Sequence, residues 1–148
     1  MDPKKFIKKF TAHKFRNILK MKDGFYLVDD EQLRFKDNLK EQPMHIGIYL
    51  GHMRKDDFVP SIALVEMIAK HSDRKLVVNK EAEWLFLCGR PLMGKSIIKS
   101  NVKDGLVLVQ NENDENLGFG RVIGAIEKND KIVVKNLLDR GNFLRREK

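Results

Sequence analysis

With 148 residues, 42% of them hydrophobic, the chain is long enough for one ordinary domain or two small ones with real cores, which excludes a disordered tail. Its uninterrupted apolar runs, such as Ile48 to Leu50 and Trp84 to Cys88, fall far short of the roughly 20 residues that cross a bilayer, so no membrane partner is expected. A net charge of +8 favours a polyanionic partner, and a single cysteine excludes an intramolecular disulfide framework and suits a reducing, cytoplasmic compartment.

The charge is gathered at the ends. Residues 1–22 carry a net +7 and residues 131–148 a net +4, while residues 23–130 carry −3. Clustered cations gain free energy by releasing counterions from phosphates, although a Lys-rich end is also an ordinary solvated surface. The basic N-terminal stretch lacks the continuous apolar segment and cleavage site of a secretory signal.

Lys4 to Lys20 reads as an amphipathic helix. Phe6 and Phe10 stand four apart, Phe15, Ile18 and Leu19 continue the apolar spacing, and Pro3 suits the first turn. The stripe faces a core, leaving Lys4, Lys5, Lys8, Lys9 and Arg16 in water and within reach of phosphates. Asp23-Gly24 then opens a turn, Phe25 to Val28 is a predicted strand, and Leu33 to Phe35 is its predicted hairpin return after Asp29-Asp30. His45 to His52 reads as a strand in which Gly47 and Gly51 mark a bend or close backbone approach. Ser61 caps a predicted helix through Ile62, Val65, Ile68 and Ala69. The polar break at His71 to Arg74 divides the chain into residues 1–73, an α/β unit, and residues 74–148.

Short strands follow. Leu76 to Val78, Gly105 to Val109, Leu117 to Ile123 and Lys131 to Val134 are β-like, with turn compositions at 111–116 and 127–130, a pattern of a small barrel or sandwich. Lys80 to Cys88 suits a buried helix as well as a strand. Trp84 and Phe119 are expected in the core, and Cys88 as a buried thiol.

Gly89 to Ser96, GRPLMGKS, satisfies the phosphate-loop pattern letter for letter, which would make the chain a nucleotide-binding enzyme. Its context argues otherwise. Such a loop must lead into a helix, yet Lys103-Asp104-Gly105 follows within a few residues, and Leu106 to Val109 ends in Gln110 where a magnesium-holding Asp is wanted. The four histidines are scattered, no metal-ligand spacing occurs, and no nucleophile and base are paired.

KLVVN at Lys75 to Asn79, EAEWLFLCG at Glu81 to Gly89, GLVLVQN at Gly105 to Asn111, LGFG at Leu117 to Gly120 and LLDRGNFLRRE at Leu137 to Glu147 carry a resemblance to the PUA domain, an RNA-binding module. With DGFYLVDDEQLRF at Asp23 to Phe35 and FVPSIALVEMIAKH at Phe58 to His71, the whole chain resembles the Nip-seven family of ribosome-biogenesis factors. That resemblance implies an α+β fold, a small N-terminal α/β (pre-PUA) domain followed by a PUA-type β-barrel. It also implies a non-catalytic, cofactor-free protein that binds U-rich or A/U-rich pre-ribosomal RNA, with exosome components or other ribosome-assembly proteins as partners. The N-terminal twenty residues are shorter and more basic than the family pattern, which leaves open a PUA protein serving an RNA-modifying enzyme such as a methyltransferase; a protein adaptor with basic ends is a third class. By the same resemblance RNA lies between the first PUA helix with its following loop, offering Arg90, Lys95 and Lys99, and the last strand, offering Arg140, Arg145, Arg146 and Lys148. Arg145 and Arg146 are adjacent, so on a strand they point to opposite faces.

Overall fold

The computed structural model describes residues 2–37 and 47–142. The chain divides into two compact units, Met1–Ile68 and Ala69–Lys148. The first holds α1 (Pro3–Lys8), β1 (Ile18–Met21), β2 (Gly24–Leu27), α2 (Asp30–Asp37), β3 (Ile48–Arg54), β4 (Asp57–Pro60) and all but the last residue of α3 (Ile62–Ala69). Its strands form an antiparallel meander in the order β1-β2-β3-β4.

Two expectations for this unit are overturned. The long first helix ends after six residues, its N-terminus capped by Asp2, whose carboxylate accepts from the Lys5 amide at 2.9 Å. Thr11 turns the chain by accepting from the His13 amide, and Asn17 takes a positive φ of 59°, which Asn tolerates. Ile18 and Leu19 then pair with Leu27 and Tyr26 as a strand, so their helix-like spacing is overridden by a sheet partner. The partner of Phe25 to Leu27 is accordingly β1, joined through Lys22-Asp23, and not Leu33 to Phe35. Those residues lie in α2, opened by a reciprocal capping box. Asp29 Oδ1 accepts from the Gln32 amide at 2.7 Å, and Gln32 Oε1 from the Asp29 amide at 3.0 Å.

Ser61 caps α3 as expected. Its Oγ accepts from the Leu64 amide and donates to the Tyr49 carbonyl, tying the helix start to β3. Gly51, at φ +138°, lies so close to the Val59 carbonyl that a Cβ has no space. The expected strand begins at Ile48; His45 and Ile46 lie outside the described residues. The buried residues include Leu50, Leu64, Val65 and Ile68, with Phe6 edge-on to Phe10 at 5.4 Å and 5.5 Å from Phe58.

The second unit contains β5 (Lys75–Val78), α4 (Lys80–Leu87), β6 (Leu92–Met93), a 3-10 turn (Gly94–Ser96), β7 (Ile97–Ser100), β8 (Gly105–Gln110), β9 (Asn116–Val122) and β10 (Ile132–Asp139). The six strands run β6-β10-β9-β8-β5-β7, antiparallel throughout except for the parallel pair β5–β8. The two edge strands are consecutive in the chain, joined only by the 3-10 turn. One continuous segment, Leu92 to Ser100, therefore links both edges of the sheet, which curls into a half-barrel. Leu76, Val78, Phe86, Val107, Val109 and Val134 fill its interior.

Lys80 to Leu87 is a helix, which settles the ambiguity at that stretch. Asn79 accepts from the Ala82 amide at 2.9 Å, and Glu81 and Glu83 suit the positive end of the helix dipole. Phe119 is buried as expected, but Trp84 and Cys88 are not. Trp84 is 70% exposed, because Ala82 and Phe86 take the inward face of α4 and position 84 turns outward; Cys88 lies one turn further along that outer side.

Candidate nucleic-acid interface

The GRPLMGKS segment folds as the end of a helix, a two-residue strand, a 3-10 turn and a strand, rather than as a strand entering a helix. The amides of Gly94 and Lys95 donate to the carbonyls of Lys131 and Asn129 at 3.0 and 2.8 Å, so they do not form a free phosphate cradle. The Lys95 ammonium lies 2.7 Å from Asp130, and that carboxylate holds its pKa above the ordinary value. This lysine is already paired before any ligand arrives.

Each of the other anticipated cations has a different setting. Arg90 is exposed just beyond α4, in a loop held to β10 by the Asn136 amide, which donates to the carbonyls of Phe86 at 2.9 Å and Arg90 at 3.3 Å. Lys99 is exposed on β7 beside an open groove of about 550 Å³ that crosses β7, β5 and β8 and is lined by Lys75, Ser100, Gln110, Asp73 and Asp114 among others. Arg140 follows β10, with its amide donating to the Leu117 carbonyl and its Nη1 to the Asn116 carbonyl. Arg145, Arg146 and Lys148 lie outside the described residues.

The register relates Lys99 to Arg140. Lys99 pairs with Val77, Val77 with Gln110, and Gln110 with Asn116, whose carbonyl holds Arg140. They stand on one transverse rung, separated by four strand spacings of about 4.8 Å, or roughly 19 Å along the sheet. That path along the curled sheet is long enough for several nucleotides of an extended strand. Sequence reasoning missed a closer pair. Lys135 on β10 stands directly opposite Arg121 on β9, both exposed, and only the strand register reveals their adjacency. Like charges in such positions destabilise a sheet.

The profile of the UPF0113 PUA domain matches residues 74–148. The chain belongs to the UPF0113 PUA-domain family. A UPF0113 protein from Archaeoglobus fulgidus is 30% identical over 113 residues, covering 72% of this chain and 64% of that protein, so the chain spans less than two thirds of its curated relative. Among solved structures, a hypothetical protein from Pyrococcus horikoshii OT3 superposes with a TM-score of 0.51 at 23% identity, covering 66% of this chain and 67% of that one. A conserved PUA domain protein from Thermoplasma acidophilum gives 0.51 at 19% identity, covering 62% and 64%. These likenesses establish the fold, an N-terminal α/β unit followed by a PUA-type half-barrel. Within this UPF0113 PUA domain, the helix α4, its exit loop and the last strand β10 are neighbours through the Asn136 hydrogen bonds.

Proposed function

We propose that this chain binds RNA without catalysing a reaction on it, and that the PUA unit holds the strand. The observation that carries the reading is the placement of Lys135 opposite Arg121 on the exposed side of β9 and β10, with Arg140 just past the end of β10. Two like charges side by side cost stability in the free protein, and a phosphate backbone offsets that cost. The favoured partner is a U-rich or A/U-rich single strand, pre-ribosomal RNA for a ribosome-assembly factor of the Nip-seven kind acting in the cytoplasm with exosome or other assembly proteins. A division into residues 1–73 and 74–148 accompanies this reading. Arg90, Lys99 and Arg140 take phosphates, Arg145, Arg146 and Lys148 extend the contact, and Lys95 contributes least because Asp130 already neutralises it.

The test is fluorescence anisotropy of a labelled U-rich strand with the whole chain across a salt series. Binding that weakens steeply with salt is expected, and replacing Lys135 by Ala and Arg140 by Gln lowers affinity and flattens the log–log salt slope by about 0.7 per lost phosphate contact. Lys95→Ala leaves affinity nearly unchanged. Failure of every RNA to bind, or Mg²⁺-dependent ATP or GTP turnover abolished by Lys95→Ala, overturns the reading.

A further inference from the structure

The N-terminal unit holds a cavity of about 270 Å³ between α1 and the start of β1. Its apolar wall is Ile7, Phe15 and Ile18, and Lys4, Lys8 and Lys14 stand around it. Lys4, Ile7 and Lys8 share one side of α1 because they are three and four residues apart. Lys14 and Phe15 come from the loop that replaces the expected helix, with the Phe15 ring edge-on to His13 at 4.9 Å. Among the described residues, no acidic side chain lines the cavity. Asp2, the acidic residue nearest in sequence, uses its carboxylate to cap α1. The same loop, His13 to Phe15, also borders a second cavity of about 670 Å³ that continues past Arg16 toward Leu27 and Ile48.

The volume limits the occupant. At about 270 Å³ the smaller cavity lies below the roughly 300–1,000 Å³ of sites that enclose a whole small-molecule ligand, so it suits one flat ring with the rest of the molecule outside. An aromatic and aliphatic wall ringed by three ammonium groups complements a flat base whose sugar is flanked by phosphates. Stacking of a base on an aromatic face is worth about 1–3 kcal/mol and tolerates any base, while flexible lysines take phosphates as point charges.

We propose that this cavity is a second RNA contact, separate from the PUA unit, in which one unpaired base of a single strand enters against Phe15 while Lys4, Lys8 and Lys14 hold the flanking phosphates. The inference rests on the RNA-binding reading but places the contact on residues outside the family profile. The experiment is photo-crosslinking of a 4-thiouridine-substituted U-rich strand to the whole chain, with peptide mapping, alongside anisotropy of Lys4→Gln/Lys8→Gln/Lys14→Gln and of Phe15→Leu. Phe15→Leu keeps an apolar wall and removes the ring, and circular dichroism verifies that both variants are folded. Crosslinks between Ile7 and Ile18 in addition to the PUA unit are expected. The triple variant should bind several-fold more weakly, with the salt slope reduced by about 2, and Phe15→Leu should lose the N-terminal crosslink with little change in slope. Crosslinks confined to residues 74–148, with both variants binding as the wild type does, overturn this second contact and leave the PUA reading standing. A chain that binds no RNA overturns both. Sedimentation with anionic phospholipid vesicles and no N-terminal crosslink assigns the lysines to a lipid surface and overturns it as well.

Discussion

Trp84 and Phe86 are two residues apart on α4 and have opposite environments. Phe86 is fully buried in the half-barrel interior, whereas Trp84 is 70% exposed. Replacing Phe86 by Ala should cost about 3–5 kcal/mol, through lost burial and the cavity left behind, while Trp84→Ala should fall within about 0.5 kcal/mol of the wild type. Urea unfolding distinguishes the two. As Trp84 is the chain's only tryptophan, iodide should quench the native protein's indole fluorescence nearly as well as that of the unfolded chain. A second prediction concerns Asp30, whose carboxyl is held below its ordinary value of 3.8 by the Asn17 amide at 2.8 Å and then by Arg16 at 3.6 Å. A depressed carboxyl contributes stability that is present above 3.8 and lost as the pH falls through the folded value. The thermal advantage of wild type over Asp30→Asn should therefore be full at pH 6 and shrink below 3.8, and it should be small because the pair is exposed to solvent.

Caps decide several element boundaries, and their legibility was uneven. Ser61 before an apolar periodic run was readable, and so was the strand character of β8, β9 and β10, where short runs of valine, isoleucine and leucine stand between turn compositions. Two equally local signals were passed over: Asp29 with Gln32 three residues on, which opens α2, and Asn79 with acids in the next turn, which opens α4. The end of α1 was not legible in this way. Phe15, Ile18 and Leu19 keep helical spacing, and only pairing with β2, a tertiary fact, turns Ile18 to Met21 into a strand. The candidate site divides similarly. Lys99 and Arg140 were named as candidates through the family resemblance of the loop and the last strand, but the Arg121–Lys135 adjacency depends on register, which a sequence does not fix by itself. At this scale Asn79→Ala tests the cap. It removes the acceptor for the Ala82 amide and should cost about 1 kcal/mol in chemical denaturation, with Asn79→Asp retaining most of the stability. A cost near zero would mean that packing of Ala82 and Phe86 alone fixes the start of α4.

Across the molecule, the basic ends and the acidic middle divide in a way that favours a charged ligand over self-association, because a net +8 at neutral pH keeps copies apart. The opposed pair on β9 and β10 is where that charge acts against the fold itself. If Arg121 and Lys135 are kept side by side for a polyanion, stability and binding must respond in opposite directions when one sign is changed. Arg121→Glu converts a like-charge pair into an opposite-charge pair on the same strand register, so the urea midpoint should rise, corresponding to about 0.2–1 kcal/mol. Affinity for a U-rich strand should fall in the same variant, with the log–log salt slope reduced by roughly 0.7 or more as one phosphate contact is lost and an acid is placed beside the track. Raising the salt should diminish both effects together, since solvent-exposed charges are screened within about 10 Å at 0.1 M. A variant that is more stable yet binds RNA as tightly as the wild type would locate the strand elsewhere on the half-barrel. One that is less stable would show that these two cations do not oppose each other in the free protein, removing the physical basis for placing RNA on β9 and β10.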